Sequence, residues 1–67
     1  MTQATIGARL KAAREHLGYS QEDVARAIDV SVYTVGNAER DKPVKRKTIR
    51  AIAEYLEMEG ELFEAAS

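Results

Sequence analysis

Apolar side chains recur along this chain at helical spacing. Ile6, Leu10, Ala13 and Leu17, with Arg14 among them, fall on one face, while Arg9, Lys11, Glu15 and His16 fall on the other. This predicts a first helix from Thr5 to Leu17, with Thr5 suited to cap its start and Gly18 its end. Ser20 opens a second helix. Asp23, three residues on, approximates a capping box with Asp in place of the better Glu or Gln. Val24, Ala25 and Ile28 form its apolar stripe, and it ends near Ile28. Asp29 and Val30 make a short turn before Ser31 caps a third helix, which runs to Glu39 or Arg40 with Val35 inward and Val32 and Ala38 flanking it. Pro43 biases Lys42 away from helix. A fourth helix, starting at Lys45 or Thr48 and ending at Glu57, carries Ile49, Ile52, Ala53 and Leu56 on one face. Glu59 to Ala65 reads as a short fifth helix presenting Leu62 and Phe63. The β-branched stretch Val30–Val35 is bracketed by helix caps, so no strand is expected. The pattern predicts an all-α, five-helix bundle forming a single domain over residues 1–67.

Length and composition narrow this picture. A chain of 67 residues buries only about 60% of its unfolded surface and is marginal as a lone core. It has no cysteine, so neither a disulfide nor a thiolate metal site supports it. Its core must be aliphatic, with a partner subunit available to complete it through the C-terminal helices, Met58, Leu62 and Phe63 included. Met1 to Gly7 shows no charge-then-apolar leader, and no apolar run reaches the roughly 18 residues needed to span a bilayer. The expectation is a cytoplasmic protein with no membrane partner, no cofactor and no metal. Net charge is −1 but unevenly placed: residues 1–50 hold all ten Lys and Arg against six acids, and residues 51–67 hold five acids and no Lys or Arg. A basic face therefore coexists with an acidic tail, and it is a face, not a whole molecule, that meets a polyanion.

The constellation that carries chemistry is the pair of short helices, 21–28 and 32–39, with a three-residue joint. Ala25 falls where the two backbones must approach closely, and Val30 and Val35 pack the second helix across the first. That arrangement is a helix-turn-helix, whose second helix enters the major groove of duplex DNA while the first crosses the backbone.

The stretches Ile6-Gly-Ala-Arg-Leu, Arg14, Leu17-Gly-Tyr-Ser-Gln-Glu-Asp-Val-Ala, Val30-Ser-Val-Tyr-Thr-Val, Glu39-Arg-Asp-Lys and Ile52-Ala are specific in combination. Together they resemble the phage repressor and Cro DNA-binding family, also known through the xenobiotic-response-element regulators, over about residues 6–63. The resemblance implies a lambda repressor-like five-helix domain that binds operator DNA as a dimer. It also implies roles for single residues. Gln21 would grip a phosphate at a helix N-terminus, and Ser20 would cap and touch the same phosphate. Val32, Tyr33, Thr34 and Asn37 would face base edges, with Asn37 matched to adenine and Val32 and Tyr33 to thymine methyls. Arg40, Lys42, Lys45, Arg46 and Lys47 would flank the phosphate backbone. Arg14 and Glu39 match a partly buried ion pair tying the first helix to the third.

Plainer readings stand beside these: Gln21 and Asn37 as ordinary surface residues, and the loop cations as solvated charge. Six cations among the eleven residues from Arg40 to Arg50 argue for the basic segment as a binding element. Three departures from the family pattern weaken the segment. Asp29 stands where the family has Gly in the turn, though Asp tolerates the left-handed conformation. Gly36 interrupts the third helix, and Ala38 replaces a large apolar residue. No Arg or Lys lies between Val32 and Glu39, so arginine contacts to guanine must come from Arg40 onward. The leading function is a sequence-specific transcriptional regulator. The alternative is a protein-interaction module of the same fold, using the acidic stretch Glu54–Glu64. One His, no Cys, no phosphate-binding loop and no nucleophile elbow argue against an enzyme.

Overall fold

The computed structural model describes residues 4–57. Among them are four helices: α1 (Ile6–His16), α2 (Gln21–Ile28), α3 (Val32–Glu39) and α4 (Arg46–Tyr55). The expected fifth helix, with Leu62 and Phe63, and Met58 lie outside the described residues.

Each boundary has a local cause. Thr5 Oγ1 accepts the Ala8 N–H at 3.1 Å and starts α1. Gly18, at φ +80°, turns the chain after it, a conformation that costs glycine nothing. The capping box of α2 is complete: Ser20 Oγ accepts from Asp23 N at 3.0 Å, and Asp23 Oδ2 accepts from Ser20 N at 2.8 Å. The Ser20 N–H bonded to that carboxylate, and after it the Ser20 hydroxyl beside it, hold the Asp23 carboxyl below the usual carboxylate range. Asp29 ends α2 in the left-handed region at φ 59°. Ser31 Oγ accepts from Thr34 N at 3.1 Å and starts α3.

Three boundaries differ from expectation. The first helix stops at His16, with Gly18 at φ +80° ending the helical path two residues on, and Leu17, its C-cap, is 42% exposed. Helix α4 begins at Arg46 with Lys45 as N-cap and no side-chain cap. It ends at Tyr55, short of Glu57, which lies beyond it at φ 58°. Val32 does not flank the core: it sits in the first turn of α3 and is 43% exposed.

The core joins Leu10 of α1, Val24 and Ala25 of α2, Val35 and Ala38 of α3, and Ile52 and Ala53 of α4, with Leu56 beyond it. Tyr19 and Tyr55 pack their rings with centroids 5.2 Å apart, fixing the end of α4 to the turn before α2. The Tyr19 hydroxyl raises the Tyr55 phenol above its ordinary value.

Two glycines inside helices have opposite surroundings. A Cβ on Gly7 would lie 2.5 Å from the Glu39 carbonyl oxygen and 2.7 Å from that of Ala38. The backbones of α1 and α3 therefore meet directly there. The atoms nearest to a Cβ on Gly36 belong to the Arg40 guanidinium, the closest at 3.2 Å, a flexible end that can yield. Gly7→Ala should therefore destabilise the domain by about 1–3 kcal/mol or more through overpacking. Gly36→Ala should stabilise it by up to about 1 kcal/mol through helix propensity. Thermal denaturation of both variants should show melting temperatures moving in opposite directions; a loss of stability in both would refute the distinction.

Candidate nucleic-acid interface

Helix α3 buries Val35, Ala38 and Glu39 and exposes Val32 and Tyr33. Val32 is 43% and Tyr33 71% exposed, a large apolar pair that the core does not use. Thr34 and Asn37 are half-buried on the same helix. The Thr34 hydroxyl bonds Ser31 Oγ at 2.9 Å, so part of its hydrogen-bonding capacity serves the cap. Asn37 Oδ1 accepts from Arg40 Nη2 at 3.0 Å.

A buried polar network holds α3 at this position. Arg14 Nε donates to Glu39 Oε2 at 2.6 Å, and Arg14 Nη2 donates to Glu39 Oε1 at 3.1 Å. This side-on, two-bond geometry is the strong form of such a pair. Arg14 is 8% and Glu39 9% exposed. The hydrogen bonds to Glu39 raise the Arg14 guanidinium above its usual value, against the opposing effect of burial. Arg14 Nη1 also reaches the Tyr19 carbonyl at 2.9 Å. Gln21 Nε2 donates to Glu39 Oε1 at 3.0 Å. The pair therefore binds α1, α3, the turn before α2, and the first residue of α2 into one unit. Gln21, read from sequence as a phosphate contact, is drawn toward Glu39, with one further N–H on the same nitrogen. Ser20, assigned to the same phosphate, already uses its Oγ and N–H in the capping box.

The basic segment follows directly. Arg40, Lys42, Lys45, Arg46 and Lys47 are all exposed. Asp41 organises it: at φ 59° it bends the chain back, and its Oδ1 accepts the Gly7 N–H at 2.9 Å. A carboxylate at the N-terminus of α1 is favourable for the helix dipole. Sequence reading gave Asp41 no role of its own. The signal for its role was a short acidic residue, tolerant of the left-handed region, immediately after a helix end. Lys45, Arg46 and Lys47 sit at the start of α4, whose first turn has no acid. Cations there oppose the helix dipole.

Among the described residues there is no cluster of His, Cys, Asp and Glu suited to a metal ion, and no helix is long and apolar enough to cross a membrane. The model of a family described as a helix-turn-helix domain matches residues 5–66. No curated protein and no solved structure matches the chain significantly.

Two measurements check the energetics. Glu39→Ala leaves a buried guanidinium without its carboxylate and should cost about 3–5 kcal/mol, enough to unfold a domain of this size. Adding Arg14→Met should restore much of that loss; strictly additive losses in urea denaturation would contradict the coupling. Lys47→Glu, which places an acid in the first turn of α4, should raise stability by about 0.3–1 kcal/mol at low ionic strength, with the gain fading as salt is added.

Proposed function

The chain belongs to the helix-turn-helix domain family, and we propose that it is a sequence-specific regulator of transcription that acts on double-stranded DNA, of the phage repressor or Cro type. In this reading α3 lies in the major groove. Val32 and Tyr33 pack on thymine methyls, and Thr34 and Asn37 face base edges. Ser20, Gln21, Arg40, Lys42, Lys45, Arg46 and Lys47 contact phosphates and set the register. The protein works in the cytoplasm by binding rather than by catalysis. It engages DNA as a homodimer assembled through its C-terminal segment, with assembly completed on DNA.

The observation that carries this reading is the outer face of α3. That helix is fixed from behind by the Arg14–Glu39 pair, shows Val32 and Tyr33 to solvent, and runs straight into an exposed basic segment. A shape that fits a groove and a charge that fits its walls are continuous along the chain.

A second reading is a protein-interaction module of the antitoxin or partner-regulator kind. The exposed Glu54 and Glu57, at the head of an acidic stretch reaching Glu64, favour it. Reversing the charge of Lys45, Arg46 and Lys47 to Glu separates the two, abolishing DNA binding under the first and sparing partner binding under the second. With three or four cationic phosphate contacts per subunit, a dimer neutralises about seven phosphates, and the binding constant should fall with salt at a log–log slope of about −6. Titration of random and selected duplexes across a salt series measures it. A slope near zero, or no binding to any duplex at low salt, would sink the proposal.

A further inference from the structure

We propose that Arg40, laid back over Gly36 and joined to Asn37, is the guanine-reading element of this domain, and that Gly36 is present to seat it. This rests on the DNA-binding reading above and changes two of its assignments: Arg40 moves from a phosphate to a base, and Asn37 from adenine to a shared guanine contact.

Tyr33, Asn37 and Arg40 are spaced i, i+4, i+7 and form one stripe along α3. Arg40 remains on that stripe because its backbone, at φ −96° and ψ 9°, nearly continues the helix. Its side chain lies across the helix one turn back. The three heavy atoms nearest to a Cβ built on Gly36 are Arg40 Nη1, Nη2 and Cζ, at 3.2, 3.5 and 3.6 Å. Gly36 is buried although it lies next to the exposed face. A Cβ at position 36 would crowd the guanidinium and push it outward by a few tenths of an ångström.

The hydrogen bond from Arg40 Nη2 to Asn37 at 3.0 Å then fixes the chemistry. A guanidinium has donors only, so the amide must offer its oxygen. With Oδ1 engaged, Asn37 presents Nδ2 as a donor, and Arg40 presents Nη1 as another. A lone Asn reads adenine by accepting from N6 and donating to N7. Asn37 Oδ1 keeps a second lone pair, but the guanidinium joined to it adds a positive charge and donors that oppose the N6 amino group of adenine, and the base edge that presents two acceptors, N7 and O6, is guanine. The outer face of α3, which has no Lys or Arg of its own from Val32 to Glu39, receives its cation from Arg40.

The test is binding-site selection from random duplexes at one fixed salt concentration, followed by titration of the selected duplex and its guanine-to-adenine variants. The full chain is compared with Arg40→Ala, Asn37→Ala and Gly36→Ala, each checked for folding by thermal denaturation. The unaltered protein should prefer guanine at one position of each half-site by about tenfold or more, the range of a good bidentate contact. Arg40→Ala should erase that preference and shift it toward adenine, because Asn37 is then left without the cation that opposes the adenine amino group. Gly36→Ala, which folds at least as well, should weaken it severalfold by lifting the guanidinium off its seat. The proposal is overturned if Arg40→Ala weakens binding to all sequences alike and reduces the salt slope by about one, the signature of a phosphate contact. It is also overturned if the preference survives Arg40→Ala, or if no guanine is selected. Failure of the unaltered chain to bind any duplex at low salt would instead remove the DNA-binding reading on which this one stands.

Discussion

Everything on the outer face of α3 depends on how that helix is held from behind, and the Arg14–Glu39 pair does the holding. Its two hydrogen bonds are formed away from water, where each charge alone would be costly and the pair together is tolerable. Because Tyr19 and Gln21 attach to the same two side chains, the pair fixes the crossing of α1 and α3 and the entry of α2 together. Hydrophobic packing by Leu10, Val24 and Val35 supplies non-directional stability. The ion pair adds direction: a bidentate contact accepts one orientation of Glu39, and hence one rotation of α3 about its axis.

The close approach of α1 to α3 follows from the same need. Glycine at position 7 lets the Ala38 and Glu39 carbonyls come within a distance that no side chain would allow. Asp41 then uses the left-handed turn after α3 to return a carboxylate to the Gly7 N–H. One short stretch, Ala38 to Asp41, thus closes the core, anchors the ion pair, and caps another helix. The basic segment that follows leaves from a fixed point, with its cations exposed.

Charge is distributed with a different logic from the core. Asp23 and Asp41 stand at helix N-termini, where carboxylates are stabilising, while Lys45, Arg46 and Lys47 stand at one where cations are not.

Much of the fold was legible in the sequence because it is set by short-range chemistry. The caps at Thr5, Ser20 and Ser31 form hydrogen bonds over three residues, the left-handed Asp29 is a property of one residue, and the apolar stripes follow from helical period. The pairing of Arg14 with Glu39 was also accessible, through the resemblance rather than through spacing. The sequence could not assign Gly7, Asp41 or Gly36, because each is explained by a neighbour that folding brings up: a carbonyl of α3, an amide of α1, a guanidinium lying one turn back. Nor could it reveal that Gln21 turns toward Glu39, or that Asn37 shares its oxygen with Arg40. Polar side chains of this kind have several partners within reach, and which one they take is decided only when the helices are packed. The sequence by itself thus determined the helices, their caps and the stripe that faces the core. The tertiary structure alone decided which donors and acceptors remain on the outer face of α3, because hydrogen bonds made across helices consume some and leave the others.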